Sequence, residues 1–127
     1  MIFDTDILIW AQRNVGNAVD LLESADSRKF SIVSYMEFIQ SSKDKKMLAK
    51  CKNFLNTFSF EILPITPDIS HRASIFIEEF SLSHTLAIPD ALIAATAFEY
   101  GLPLATSNYK DYKMIEGLEI KRLHVRK

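Results

Sequence analysis

Met1-Ile2-Phe3-Asp4-Thr5-Asp6-Ile7-Leu8-Ile9 is an apolar run interrupted by two carboxylates. Three apolar residues that stop at an acid read as a short buried strand delivering Asp4 to its C-terminal end, with a helix following through Ile7, Leu8 and Trp10. Open α/β sheets keep their ligands at that edge. A local reading competes: Asp4 or Asp6 caps the helix, its carboxylate accepting from the orphan amides of the first turn. What separates the two is whether other acids reach equivalent places.

Working outward, Val15, Ala18, Val19, Leu22 and Ala25 recur at helical spacing and stop at the polar turn Asp26-Ser27-Arg28-Lys29. Phe30-Ser31-Ile32-Val33 reads as the next strand. Ser34-Tyr35-Met36-Glu37 then opens a helix, and the S-x-x-E spacing predicts a capping box in which Glu37 reaches back to the amide of Ser34. The following helix runs to about Phe58, with Cys51 on its apolar stripe and Lys43, Lys45, Lys46, Lys50 and Lys52 on the solvated side. Phe60 to Ile65 alternates as a strand, which Pro64 assigns to an edge. Thr66-Pro67 is an N-cap followed by proline at the first helical position, and Ile69, Ala73, Phe76, Ile77 and Phe80 form the stripe behind it.

Ile88-Pro89-Asp90 starts a helix of mostly small residues, able to lie close against a sheet, with Gly101 as its C-cap. Pro103 to Thr106 is a further strand ending at Ser107-Asn108, and a short helical turn carries Tyr112, Met114 and Ile115. Glu119 to Val125 completes the domain as an edge strand, with Arg126 and Lys127 beyond it. Strands alternating with helices predict one α/β domain over residues 1–127, built on a parallel, doubly wound sheet.

Composition narrows the class. With 48% hydrophobic and 24% charged residues the chain reads as globular, and 15 Lys and Arg against 16 Asp and Glu leave a net charge of −1, so no global basic field marks a nucleic-acid binder. The single Cys51 excludes an intrachain disulfide and a cysteine zinc site, and the three histidines His71, His84 and His124 show no ligand spacing. The start lacks the basic and apolar regions of a signal peptide, and no apolar run approaches the roughly eighteen residues of a membrane span. The expected location is the cytoplasm.

In a parallel sheet every strand-to-helix turn falls on one edge. Asp4 and Asn108 sit at strand ends, and Glu37 and Asp90 open helices on that same edge. Three carboxylates and a carboxamide without paired Lys or Arg repel one another, and a divalent cation relieves them. Oxygen ligands without Cys or His select Mg²⁺ or Mn²⁺, whose polarised water is a nucleophile for phosphodiester hydrolysis.

Asp4-Thr5-Asp6-Ile7-Leu8-Ile9, Ser31 to Phe38, Asp90 to Ala97, and Thr106-Ser107-Asn108 with Tyr112 together resemble the PIN domain, and specifically the VapC-type toxins of bacterial toxin–antitoxin pairs. The resemblance spans almost the whole chain. It implies a five-stranded parallel sheet with helices on both faces and a Mg²⁺- or Mn²⁺-dependent endoribonuclease acting on RNA. It also implies a homodimer, and a cognate VapB-like antitoxin whose C-terminal segment covers the active-site groove in a heterotetramer or larger assembly. By position, Asp4, Glu37 and Asp90 match the family's metal-holding acids and Ser34 its supporting hydroxyl. Asn108 falls where many members place a fourth Asp. Asn carries no charge, so a second metal would be held weakly, with Asp111 or Asp6 compensating. Two alternatives remain: an inactive PIN-like module that only binds, and a phosphatase of the haloacid-dehalogenase type using Asp4 and Asp6 with Thr106 as the later hydroxyl.

Overall fold

The computed structural model describes residues 1–125, and Arg126 and Lys127 lie outside the described residues. The opening strand β1 (Ile2–Phe3) is only two residues long and fully buried. It is followed by α1 (Thr5–Gln12), α2 (Gly16–Ser24), β2 (Lys29–Ser31), α3 (Ile32–Gln40), α4 (Lys45–Phe58), β3 (Glu61–Leu63), α5 (Pro67–His84), α6 (Ile88–Tyr100), β4 (Leu104–Thr106), a 3₁₀ turn (Tyr109–Asp111) and β5 (Ile120–Arg122). All pairings are parallel, in the order β3-β2-β1-β4-β5. The chain therefore starts in the centre, winds out to β3, and crosses back to β4 on the other side of β1. That reversal is the switch point at which doubly wound sheets leave a crevice. The residue immediately beyond β1 is Asp4.

Successive side chains of a strand point to opposite faces, and the two halves of the core divide accordingly. Ile2 and Leu104 pack with Ile69, Phe76, Ala91, Ala95 and Tyr112 under α5 and α6. Phe3 and Ala105 pack with Ile7, Leu22, Phe30, Phe38, Cys51 and Leu55 under α1, α2 and α4. With helices on both faces, strands this short need no polar side. Ala91, Ala94, Ala95 and Ala97 of α6 are fully buried, as expected for a helix pressed against the sheet. Gly101 ends that helix at φ +63°, in the left-handed region, where glycine carries no Cβ penalty.

Four local expectations change. The expected strand over Phe30–Val33 stops at Ser31, because the Ser31 hydroxyl accepts a hydrogen bond from the amide of Val33 at 3.0 Å and caps α3 there. Helix α3 begins at Ile32, three residues after the strand's first paired residue, so Ser34 lies inside its first turn and the predicted Ser34–Glu37 capping box does not form. The apolar stretch after Asp4 breaks at Asn14, whose φ of +63° separates α1 from α2. Strand β5 is also shorter than the Glu119–Val125 segment, pairing only over Ile120–Arg122. Edge position for Pro64 holds: β3 is the outer strand and ends at Leu63.

Candidate active site

Asp4 does two things at once. Its backbone amide extends the sheet ladder by donating to the Ala105 carbonyl at 2.9 Å, and its Oδ1 accepts from the amide of Thr5 at 2.8 Å as the N-cap of α1. Its Oδ2 accepts from the Thr106 hydroxyl at 2.8 Å and from the Tyr112 hydroxyl at 3.0 Å. Thr106 ends β4, the strand hydrogen-bonded to β1, and Tyr112 follows the 3₁₀ turn. Asp4 is 5% exposed. Burial, then the charge of Asp6, pushes it up to about 7, against the lowering effect of hydrogen bonds from Thr106 and Thr5, with Asp90 adding to the rise.

Asp90 enters from the first turn of α6, after Pro89. Its Oδ1 lies 3.2 Å from the same Tyr112 hydroxyl. Burial raises it to about 6, the Tyr112 hydrogen bond opposes this, and the charges of Asp111, Glu37 and Asp6 add to it. Tyr112 is fully buried, and burial followed by the charges of Asp4 and Asp90 holds its hydroxyl well above the ordinary tyrosine value. It therefore keeps its proton and donates, to one of the two carboxylates at a time.

Thr5 ties in a third acid. While its amide serves Asp4, its hydroxyl donates to Glu37 Oε1 at 2.7 Å, so Glu37 is oriented from α1. Asp6 Oδ2 accepts from both the amide and the hydroxyl of Ser107, the amide at 2.9 Å. Asp6 Oδ1 is buried without a hydrogen-bond partner, and burial first of all raises this carboxyl too, with Asp111 contributing.

The structure thus brings Asp4, Glu37, Asp90, Asp6 and Thr106 to one edge: Thr5 and Tyr112 link Asp4 to Glu37 and Asp90, Thr106 donates to Asp4, and Asp6 bears on Asp4 and Asp90 through its charge. Asp111 joins through its charge on Asp6 and Asp90. Two residues stand apart. Ser34 is fully buried and its hydroxyl has no partner, so it makes no bond to any acid. Asn108 is exposed at the start of the 3₁₀ turn, and only its amide reaches the network, donating to the Thr106 hydroxyl at 3.0 Å. Thr5 and Tyr112 had not been singled out as site residues. Thr5 had a signal, a hydroxyl between two acids. Tyr112 had a weaker one: a tyrosine on an apolar turn whose hydroxyl must find a partner once buried.

None of these acids is paired with a Lys or Arg among the described residues, where the ion pairs are Lys29–Glu61 and Arg72–Glu99. Nor do three of them close on a common point as a ready-made metal cage among those residues. The arrangement still suits Mg²⁺ or Mn²⁺, because a small hard cation keeps several waters and takes one or two carboxylates directly. Asp4 and Asp90, spanned by a single hydroxyl, are such a pair. Asp6, which a dehalogenase-type phosphatase would use as acid and base, has one oxygen occupied by Ser107.

A parallel sheet reversing beside its first strand, with unpaired acids at the reversal, defines an α/β protein of PIN type, and the PIN domain model matches residues 1–116, so the chain belongs to the PIN-domain family. Ribonuclease VapC10 of Mycobacterium tuberculosis is 34% identical over 125 residues, covering 94% of this chain and 90% of that protein. Ribonuclease VapC of Rickettsia bellii is 29% identical over 125 residues, covering 94% and 93%. A toxin–antitoxin complex from Klebsiella pneumoniae contains a chain 32% identical to this one, with a TM-score of 0.77 and coverage of 92% and 93%. The VapBC2 structure from Rickettsia felis, bound to a promoter DNA fragment, shares the fold at a TM-score of 0.81 and 22% identity, covering 98% of this chain and all of that one. Within the PIN domains, the chain falls among the VapC ribonucleases.

Proposed function

We propose that this chain is a Mg²⁺- or Mn²⁺-dependent endoribonuclease of the cytoplasm and the toxin of a toxin–antitoxin pair. The observation that carries the metal reading is the set of buried, mutually repelling carboxyls at the sheet's switch point, two of them raised to about 7 and about 6 and none paired with a Lys or Arg among the described residues. Asp4, Glu37 and Asp90 are the acids that would hold the ion. When bound, it supplies charge neutralisation, polarisation of a phosphate oxygen and a water of lowered pKa.

The chain's own groups orient these acids. Thr5 fixes Asp4 and Glu37 relative to each other, Tyr112 does so for Asp4 and Asp90, and Ser107 holds Asp6 where its negative charge raises Asp4. Asn108 adds no charge and its side chain makes no bond within the cluster, which favours one metal over two. RNA as substrate is supported by the ribonuclease relatives, and a VapB-like antitoxin partner by the Klebsiella pneumoniae complex. A homodimer, joined to antitoxin in a heterotetramer or larger assembly, belongs to the same reading. No observation favours an inactive binding module.

The test is cleavage of RNA by the purified chain in Mn²⁺ and in EDTA, beside Asp90→Asn. Cleavage that needs the ion and falls roughly 10²-fold or more in the variant supports the proposal. Equal cleavage in EDTA would defeat it.

A further inference from the structure

An ionised carboxylate offers about four lone-pair positions, two on each oxygen. In Asp4 the protein uses three: one on Oδ1 for the Thr5 amide, and two on Oδ2 for the hydroxyls of Thr106 and Tyr112. Only one position, on Oδ1, is left for anything else. Tyr112 has a single proton and lies between Asp4 Oδ2 and Asp90 Oδ1, at 3.0 and 3.2 Å. Even when that proton turns to Asp90, the phenolic oxygen of the fully buried ring still lies 3.0 Å from Oδ2 and covers that side.

Resting on the metal reading above, we infer that Tyr112 is a positioning residue that confines Asp4 to binding a cation through one oxygen. Cations differ in what they accept from a carboxylate. Mg²⁺ and Mn²⁺ are satisfied by single oxygens in octahedral geometry, whereas larger Ca²⁺ takes six to eight oxygens and commonly grips both oxygens of one carboxylate. Covering Oδ2 therefore selects against Ca²⁺ without touching the ion. The discrimination is built by an uncharged side chain.

The experiment is calorimetric titration of the EDTA-stripped protein with Mn²⁺ and, separately, with Ca²⁺. Tyr112→Phe keeps the ring and removes the hydroxyl, and Thr106→Val opens the same Oδ2 side from the other direction, so the second variant serves should the first not fold. Each variant is expected to tighten Ca²⁺ relative to Mn²⁺ on the order of tenfold compared with wild type, the worth of one strong interaction with a charged group. A merely structural role would move both cations together, and an unchanged Ca²⁺-to-Mn²⁺ ratio in the folded variants overturns the inference while leaving the metal site standing. Wild-type protein that binds neither ion overturns the metal reading and this inference with it.

Discussion

Capping a helix and holding a cation make similar demands on a carboxylate, since both reward a fixed anion with an oxygen turned toward positive potential. Asp4 meets the first demand in the structure, and its burial makes the charge costly. For a carboxyl whose folded value is about 7 against an ordinary 3.8, the stabilising contribution is fully present below about pH 4 and is lost as pH rises through about 7. Metal-free wild type should therefore lose stability across that window relative to Asp4→Asn, which keeps the cap and has no charge to bury. Thermal melts in EDTA between pH 4 and 8 measure the difference; parallel curves would mean that Asp4 does not carry it. Glu37 makes a different case, because it is not a capping residue. Its Gln variant still accepts from Thr5, so stability should change by less than about 0.5 kcal/mol while RNA cleavage drops on the order of 10²-fold. Retained cleavage in Glu37→Gln would remove it from the site.

At the level of the element, α3 shows what spacing can and cannot convey. Ser31 and Ser34 stand three residues apart, each a competent cap, and Ile32-Val33 suits a strand by β-propensity, so the sequence pattern favours the later start. The structure puts the cap on Ser31 and buries Ser34 with its hydroxyl unanswered. Ser31→Ala should cost about 1 kcal/mol, the usual worth of a cap. Ser34→Ala should be neutral or stabilising, because it deletes a buried polar atom that has no partner. Urea midpoints for the two variants decide the register of the helix, and the opposite ranking would restore the capping box. Where a signal is local and has no rival it reads correctly: Thr66 caps α5 by accepting from the Ile69 amide at 3.2 Å, and Gly101 closes α6. The strand-end position of Asp4 and the first-turn position of Asp90 were legible for the same reason. The role of Tyr112 was not, although the residue stood in the motif, because its partner lies 108 residues away, and no periodicity encodes a contact that only the folded sheet creates.

Across the whole molecule a net charge of −1 conceals a strongly uneven distribution. Burial, with the neighbouring acids adding to it, raises Asp4 and Asp90 so that protons compete with a cation for the same oxygens, and metal binding and pH are therefore linked. Adding Mn²⁺ should raise the melting temperature by several degrees near pH 8, and by clearly less near pH 5, where protons compete for the same oxygens. A shift independent of pH would place the bound ion elsewhere. The comparison needs no substrate, and so it separates ion binding from catalysis.

The central strand β1 and its neighbour β4 are paired in the sheet but lie far apart along the chain. Asp4 leaves the ribosome 102 residues ahead of Thr106 and 108 ahead of Tyr112, the two hydroxyls that bear on its Oδ2. Contacts so distant along the chain are slow to form and cannot begin until both segments exist. A nascent polypeptide that stops short of Leu104 has β1 paired on one side only and cannot assemble the acidic edge. The acidic edge is thereby completed only once Thr106 and Tyr112 have joined Asp4, however early the carboxylate itself is made.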